Sequence, residues 1–244
     1  MRLFRVGHNR AAAITERRAI FPGHMAPVVR TAADGERELV DLSWGFVLPQ
    51  AGKAPRRVTN VRDDKARTST FWRDSFEQRR CLVPATAFCE PAEVKPATWH
   101  WFALTSYSTR SALPSKSTRS ALPSKSTRSA LAAGAEPRPL FAFAGVWRRW
   151  NGPVKKDGPA VAIDVFSFMT TLPNDLVATI NHERMPVLLT SEVEHEAWLS
   201  GSPDAAFGLV RSYDAAGMMI VQAGFEKQDL LGAHAASDSF PKGW

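Results

Sequence analysis

The sequence predicts an α+β fold in a single domain, with strands that pair mainly in the antiparallel sense. Two observations lead to this prediction. Apolar and aromatic stretches of strand length recur along the chain, for example over Trp99–Leu104 and Ala160–Thr170. Helical stretches do not alternate regularly with them, as a parallel βαβ sheet would require. The length of 244 residues and the hydrophobic content of 44% allow one sizeable core.

The predicted strands carry alternating or continuous apolar residues. Glu38–Val47 combines alternation with aromatic side chains, and Ala160–Thr170 includes Val165 and Phe168 among its apolar residues. The remaining predicted strands are short apolar runs between turn residues: Cys81–Pro84, Ala87–Cys89, Trp99–Leu104, Leu140–Trp147 and Met218–Phe225.

Three helices are predicted, over Trp72–Arg80, Ser191–Leu199 and Pro203–Arg211. In the second of them, Ser191 and Glu194 have the three-residue spacing of a capping box. In that motif each of the two side chains accepts a hydrogen bond from a backbone N–H group at the start of the helix. The spacing therefore predicts that this helix begins directly after Ser191.

A tandem repeat interrupts the predicted strands. The sequence Ser-Thr-Arg-Ser-Ala-Leu-Pro-Ser-Lys spans residues 108–116, returns at 117–125 and begins again at 126–131. A segment rich in Ser, Pro, Lys and Arg lacks the apolar residues needed to build a core. We therefore predict a disordered surface insertion over residues 108–136, between two strands. A basic arm that contacts nucleic acid is the alternative.

The total charge says little about a partner. The 31 basic and 24 acidic residues give a net charge of +7. Five of the basic residues lie in the repeat, and without them the balance is 26 minus 24, or +2. A claim of nucleic-acid binding must therefore rest on specific residues.

The domain is expected to span residues 1–232, followed by a flexible tail over 233–244. No apolar run approaches the ~20 residues of a membrane helix, and the first residues lack the apolar centre of a signal peptide. Two cysteines, Cys81 and Cys89, cannot form a disulfide framework. We therefore expect a cytoplasmic protein without a membrane partner.

Common catalytic and cofactor motifs are absent from the sequence. Neither a G-x-G-x-x-G nor a P-loop sequence occurs, and G-x-S-x-G is missing as well. The pair His195-Glu196 lacks the second histidine of a zincin helix, and the spacing of Cys81 and Cys89 does not suit zinc. A cysteine hydrolase that uses Cys89 with His182 remains an alternative function, although a free cysteine in an apolar strand is usually a core residue.

Five short segments occur in a characteristic order. Together they resemble the SOS-response-associated peptidase family, and the likeness extends from about Leu3 to Phe225 apart from the insertion. The segments are Trp44-Gly45-Phe46-Val47-Leu48-Pro49, Asn60-Val61-Arg62-Asp63-Asp64, Arg80-Cys81-Leu82-Val83-Pro84 with Phe88-Cys89-Glu90, Phe141-Ala142-Phe143-Ala144-Gly145-Val146-Trp147, and His182-Glu183-Arg184-Met185-Pro186-Val187-Leu188-Leu189.

The resemblance implies a protein of the DNA damage (SOS) response that processes abasic sites. Family members hold single-stranded DNA in a groove on a barrel-like antiparallel core with flanking helices. An N-terminal cysteine condenses with the ring-opened abasic site to form a covalent thiazolidine crosslink, and it also supports autopeptidase and lyase activity. The resemblance implies catalytic roles for Asn60, Glu90 and His182, and DNA-binding roles for Trp44, Arg62, Arg73, Met185 and Pro186.

The resemblance also implies the partners of the protein. We expect a monomer that binds single-stranded DNA with abasic sites, needs no cofactor or metal, and associates with the bacterial nucleoid when it is bound. Asn60, Glu90 and His182 should meet in one pocket, because the chemistry requires them around a single aldehyde. Structural explanations remain open for these residues, such as a turn at Asn60, a solvated charge at Arg62 and a core position for Trp44.

Three departures from the family pattern affect the expected activity. Position 2 is Arg2 and the first cysteine is Cys81, so we expect that a segment carrying the catalytic cysteine is missing at the start. Proline after Glu90 removes a backbone donor. Asp63 and Asp64 place negative charge next to Arg62 and should weaken a phosphate site. A non-catalytic module that binds single-stranded DNA is therefore the main alternative.

Overall fold

The computed structural model describes residues 2–12, 17–105 and 137–230. The chain forms two compact units. The predicted insertion and the predicted flexible tail lie outside the described residues, so both stay predictions. The first unit comprises residues 1–15, 20–85 and 140–213, and the second comprises 16–19, 86–139 and 214–244.

The first unit contains most of the regular structure. Its strands are β1 (His8–Asn9), β2 (Met25–Thr31), β3 (Arg37–Trp44), β4 (Phe46–Leu48), β5 (Arg56–Val58), β6 (Asn60–Arg62), β7 (Arg80–Ala85), β10 (Phe141–Pro153), β11 (Ala160–Thr171), β12 (Met185–Pro186) and β13 (Leu188–Leu189). Its helices are α1 (Asp63–Ala66), α2 (Arg73–Gln78), α3 (Asp175–Ala178), α4 (Glu192–Ser200) and α5 (Pro203–Phe207), and a 3₁₀ turn covers Arg2–Phe4.

Five strands of this unit close into a ring. Their hydrogen-bonded order is β3–β2–β7–β10–β11, and β11 returns to β3. The first four pairings are antiparallel, and the closing pairing of β11 with β3 is parallel. Ring closure removes exposed strand edges. The predicted α+β class with a mainly antiparallel, barrel-like core is thereby confirmed.

The hydrophobic core lies between one face of this sheet and the helices. Val29, Leu82 and Val165 are fully buried in one cluster with Phe76 of α2 and Trp198 of α4. The indole N–H of Trp198 donates hydrogen bonds of 3.0 Å to two strand carbonyls, those of Cys81 and Gly145. Because strand residues alternate between faces, the residues between these positions lie on the opposite face of the sheet.

Two predicted element boundaries differ from the structure for local reasons. The strand predicted over Glu38–Val47 is broken at Gly45, whose φ of 101° few other residues adopt. Gly45 turns its backbone N–H to the carbonyl of Phe166 at 2.7 Å and ends β3 there. The helix predicted over Pro203–Arg211 ends at Phe207, where Gly208 forms the C-cap.

Other boundaries agree closely with the predictions. The strand Trp99–Leu104 and the helix over Trp72–Arg80 are found where the pattern places them, the helix as Arg73–Gln78. The capping box of α4 is present, with Ser191 and Glu194 each bonded to the backbone of the other. One further boundary differs from its prediction: the strand predicted over Leu140–Trp147 continues to Pro153, because a long hairpin pairs its end with Ala160.

The second unit is built on a three-stranded antiparallel sheet. Its strands are β8 (Phe88–Pro91), β9 (Trp99–Leu104) and β14 (Met218–Gly224), in the order β14–β9–β8. Phe88 and Phe102 face each other across β8 and β9 with stacked rings 5.2 Å apart. No helix among the described residues of the chain is long and apolar enough to cross a membrane.

Candidate functional site

Strand β11 brings together three of the residues predicted to act on DNA. In the register of the sheet, Trp44 lies beside Phe166, Asn60 beside Phe168, and Arg62 beside Thr170. Neighbours in register point to the same side of a sheet. The three side chains therefore share the face opposite the helices. We call Trp44, Asn60, Arg62, Phe168 and Thr170 the β11 face.

Trp44 sits at the end of an aromatic stack on this face. Its ring stacks on Phe168 with the centroids 5.5 Å apart and an interplanar angle of 24°, and Phe168 stacks in turn on Phe143 at 4.6 Å. The indole N–H donates to the carbonyl of Thr59 at 3.3 Å. Trp44 remains half-buried, and Asn60 next to it is exposed. A fixed aromatic ring beside an amide is therefore available to a ligand.

Two aspartates neutralise arginines at the end of the β11 face. Arg62 is exposed and binds both carboxylate oxygens of Asp64, at 2.9 and 3.2 Å. Arg184 pairs with Asp63 at 2.6 Å and also bonds Thr170. As expected from the sequence, negative charge lies beside Arg62, and the structure adds that each aspartate occupies one arginine.

The acid–base properties of this cluster follow from these contacts. The hydrogen bond and charge of Asp64 raise the pKa of Arg62, and those of Arg62 lower the pKa of Asp64. Burial by itself would raise the pKa of Asp63, but hydrogen bonds from Arg184 and Thr171 outweigh it and hold the pKa below its usual value. Both aspartates are therefore ionised at neutral pH.

His182 is carried by a segment that is locked onto β11. Strand β12 pairs Met185 with Thr171 and Pro186 with Thr170, and both of its residues are buried. The thioether of Met185 accepts a hydrogen bond from the Asn174 N–H at 3.3 Å. Met185 and Pro186 are buried and hold the segment that follows His182 against β11, and their predicted role in DNA binding stays a prediction.

The turn before this segment has a defined conformation. Asn181 has a φ of 56°, a left-handed conformation that asparagine tolerates better than most residues. His182 follows it and is half-buried. It lies two residues before Arg184, which binds the carbonyl and hydroxyl oxygens of Thr170. His182 is therefore two residues away from the arginine that binds Thr170 of the β11 face.

Arginines beyond Arg62 lie on the same unit. Arg73, which was predicted to bind DNA, is exposed at the first position of α2. Sequence reasoning missed Arg57, whose Nη1 donates to the carbonyl of Gly45 at 2.8 Å. Burial lowers the pKa of Arg57. The run Arg56-Arg57 in the sequence gave no signal that one of the two is anchored beside Trp44.

Glu90 belongs to the second unit. In the register of that sheet it faces His100, and burial lowers the pKa of His100. Asn60 and His182 belong to the first unit, and the meeting of these two residues with Glu90 in one pocket stays a prediction.

Both thiols of the chain are held in their protonated form. Burial raises the pKa of Cys89 to about 12, and the nearby charge of Glu90 adds to this effect. Burial also raises the pKa of Cys81, which is fully buried. Because the thiolate is the nucleophile, these environments argue against a hydrolase that uses Cys89. Within the described ranges, no three His, Cys, Asp or Glu side chains are grouped to hold a metal ion.

Comparison with known proteins places the chain in a family. The sequence model of the family described as SOS response associated peptidase (SRAP) matches residues 2–224. The chain belongs to the SRAP family. This match includes residues of both units and every residue predicted for the site.

Two relatives of this SRAP chain are proteins of Bacillus subtilis (strain 168). Abasic site processing protein YoqW of Bacillus subtilis (strain 168) is 30% identical over 186 residues, which cover 74% of this chain and 67% of the relative. Abasic site processing protein YobE of the same organism is 28% identical over 186 residues, covering 74% of this chain and 68% of the relative.

Solved structures resemble the SRAP chain in fold. A protein from Bordetella bronchiseptica matches with a TM-score of 0.59 and 20% identity, covering 93% of each chain. A protein from Bacteroides thetaiotaomicron matches with a TM-score of 0.56 and 22% identity, covering 82% of this chain and 73% of the other. At these identities the likeness concerns the fold alone.

Proposed function

We propose that this protein binds single-stranded DNA at abasic sites and processes them, with the β11 face as the DNA-binding surface. Family membership and the names of the relatives support the substrate class. The observation that carries the proposal is the register of β11, which sets Asn60 and Arg62 in line beside the aromatic stack of Trp44. An aromatic ring with polar and cationic neighbours suits an unpaired strand.

Binding would combine stacking with contacts to the backbone. A base stacked on an aromatic side chain contributes roughly 1–3 kcal/mol to binding. The ring of Phe168 stacks on Trp44 and holds the indole in a fixed orientation. In a single strand the bases beside an abasic site are unpaired, and one of them would stack on the indole. Arg62 and Arg73 would contact phosphates, and the Asn60 amide would bond the opened sugar.

The chemistry would begin at the aldehyde of the ring-opened sugar. A primary amine of the protein adds to the aldehyde carbon of the sugar, and loss of water gives an imine. His182 is suited to move protons near neutral pH, and the carboxyl group of Glu90 is proposed as a second proton-transfer group. An imine at this carbon acidifies the adjacent C–H bond, so loss of that proton and of the 3′ phosphate would give lyase activity.

A stable thiazolidine crosslink requires an amine and a thiol on adjacent carbons. In the 244 residues the thiols belong to Cys81 and Cys89, whose backbone nitrogens are in peptide bonds. Burial also keeps both thiols protonated. We therefore propose that the protein of these 244 residues forms a reversible imine with the abasic site and no thiazolidine. The same observation favours binding without catalysis as the second candidate function.

Equilibrium binding tests the first part of the proposal. Fluorescence anisotropy would compare a single-stranded oligonucleotide with one abasic site, the same strand without it, and the corresponding duplex. We expect the abasic single strand to bind most tightly, with an affinity that falls as salt rises. Trp44→Ala should weaken binding about tenfold or more. Trp150→Phe serves as a control, because that indole bonds Gly152 away from the β11 face. Equal affinity for all three DNAs would contradict the proposal.

Borohydride trapping separates processing from binding. Borohydride reduces an imine to a stable amine, so a processing enzyme gives a covalent product with abasic DNA that depends on the reductant. We expect such a product, and we expect Glu90→Gln and His182→Ala to reduce its rate of formation about a hundredfold each. DNA binding without any trapped product would support the non-catalytic alternative.

A further inference from the structure

We infer that Arg57 is a phosphate-contacting residue of the DNA-binding surface, because its guanidinium is anchored at Gly45 beside Trp44 and has no counter-charge among the described residues. The inference rests on the proposed function and extends it. It names a DNA contact that the family pattern does not assign, and it gives Arg57 a larger contribution to DNA affinity than Arg62.

The position of Arg57 is fixed by the turn after Trp44. The chain reverses at Gly45, and β5 then pairs with β4 so that Arg57 faces Val47. A Cβ atom on Gly45 would lie 3.1 Å from the Cβ of Arg57, so the arginine stem packs directly on the glycine. Its Nη1 bonds the Gly45 carbonyl at 2.8 Å. Asn60 follows three residues later, so Arg57 is anchored between two members of the β11 face.

The charge of Arg57 is not balanced within the described part of the chain. No carboxylate there lies within ion-pair distance of its guanidinium, and its anchor is a neutral carbonyl. The side chain is half-buried, so water only partly solvates the cation. A guanidinium has five N–H donors, and one bond to Gly45 leaves others for a ligand. An anion is the ligand that restores this balance, and a DNA phosphate accepts two parallel bonds from such a fork.

Arg62 is less available to a phosphate. Both of its bonds to Asp64 must be exchanged before a phosphate can take their place. Such an exposed ion pair is weak, so the exchange is feasible, but the freed carboxylate stays beside the incoming phosphate and repels it. No carboxylate of the described ranges competes with a phosphate in this way at Arg57. We therefore expect Arg57 to contribute more to DNA affinity than Arg62 does.

A charge-matched pair of substitutions tests this inference. Arg57→Ala and Arg56→Ala remove the same charge from neighbouring positions of one strand, and Arg56 is exposed. The probe is a single-stranded thymidine oligonucleotide with one tetrahydrofuran abasic analogue, measured by anisotropy over a series of KCl concentrations. We expect Arg57→Ala to weaken binding about tenfold and to reduce the slope of log K against log salt by about 0.7, the value for one phosphate contact on a single strand. Arg56→Ala should change affinity less than about threefold.

A second pair separates the charge from the fold. Arg57→Lys and Arg57→Gln both keep a donor for the Gly45 carbonyl, and only the lysine keeps the charge. We expect the lysine variant to retain the wild-type slope of log K against log salt. The glutamine variant should show a slope reduced by about 0.7, as expected for Arg57→Ala. The two variants should have similar thermal stability. A wild-type slope in both Arg57→Ala and Arg57→Gln would overturn the inference while leaving the proposed function intact. Wild-type protein whose DNA binding ignores salt would instead refute the proposed function.

Discussion

Two groups of arginines in the first unit are held in opposite ways. The acid-paired arginines are Arg62 and Arg184, which bind Asp64 and Asp63 at the end of the β11 face. The carbonyl-held arginines bond backbone carbonyls, and no carboxylate in the described ranges lies within ion-pair distance of them; they are Arg57, Arg80 and Arg148. Burial lowers the pKa of all three.

The carbonyl-held arginines differ in what covers them. Arg80 is buried and donates to four carbonyls around the ends of α2 and α4. Arg148 donates to the Val47 carbonyl at 2.8 Å and lies over the rings of Phe46 and Phe71, 4.5 and 4.4 Å from their centroids. In the described part of the chain, no aromatic ring lies over Arg57, and the Gly45 carbonyl is the one carbonyl that accepts a hydrogen bond from it. Within that part, Arg57 is therefore the member of the group whose guanidinium is covered neither by aromatic rings nor by several carbonyls.

The contrast shows that charge and availability are separate properties on this surface. The arginine that the sequence pattern selects, Arg62, carries its counter-charge two residues away. The arginine that the pattern does not select, Arg57, is anchored to a neutral carbonyl, with no carboxylate of residues 2–12, 17–105 or 137–230 paired to it. In the net charge of the protein both arginines count equally. Their different contributions to DNA binding can be measured with variants of each.

Loss of Arg80 should have the largest effect on stability. Arg80→Met keeps the length of the side chain but leaves four carbonyls at the ends of α2 and α4 without their donor. We expect a loss of about 4 kcal/mol in the free energy of unfolding, measured by urea denaturation. Arg79→Met is the matched control, because Arg79 pairs with the exposed Asp74, and its effect should stay below about 1 kcal/mol. Similar losses in both variants would contradict a special role for the carbonyl-held group.

Breaking the ion pair of Asp63 should cost less. Asp63→Asn removes the charge that holds Arg184 against β11, and we expect a loss of about 1–2 kcal/mol at pH 7. The folded pKa of Asp63 lies below its ordinary value of 3.8, so the pair stabilises the fold above that pH. Its contribution is lost as the pH falls through the lowered pKa. The difference between wild type and variant should therefore shrink in acid, and a difference independent of pH would contradict this account.

Release of Arg62 should raise DNA affinity modestly. Asp64→Asn removes the carboxylate that occupies Arg62, so we expect about threefold tighter binding of abasic single strands and a slightly steeper salt dependence. The thermal stability should change little, because the pair is exposed. Asp204→Asn removes an exposed aspartate that pairs with Arg67 and serves as the control. An equal gain in both variants would assign the effect to net charge.

The smallest effect is expected at Cys89. Its thiol is protonated at neutral pH, because burial raises its pKa to about 12. Cys89→Ala should therefore leave DNA binding and the rate of borohydride trapping within about twofold of wild type. If Cys89→Ala binds DNA normally but gives no processing, the result would contradict this expectation and support Cys89 as the nucleophile.

Local sequence features predicted local structure well. The strand Trp99–Leu104 and the Ser191 cap of α4 depend on residues that are close in the chain. The break at Gly45 was missed because Trp44 and Phe46 continue the apolar pattern across it. A positive φ at a glycine leaves no mark in hydrophobic periodicity.

The candidate site is formed by contacts between segments that are far apart in the chain, so the spacing of residues in the sequence could not predict it. Asn60 meets Phe168 across more than a hundred residues, and only resemblance to a family selected Asn60 beforehand. The ion pair of Asp63 with Arg184 joins two segments just as distant. Arg57 was passed over because its environment arises from the turn at Gly45, which the pattern had hidden.

Photochemical crosslinking tests the central claim, that DNA lies on the β11 face, most directly. A single-stranded oligonucleotide would carry 5-bromodeoxyuridine next to one abasic analogue, so that irradiation joins the base to the side chain stacked on it. Trypsin cleaves after Arg37 and Lys53, and mass spectrometry would identify the peptide that carries the nucleotide. The account predicts crosslinking within residues 38–53, at Trp44, and its loss in Trp44→Ala. Crosslinks confined to peptides without a member of the β11 face, in a protein that binds the DNA, would contradict it.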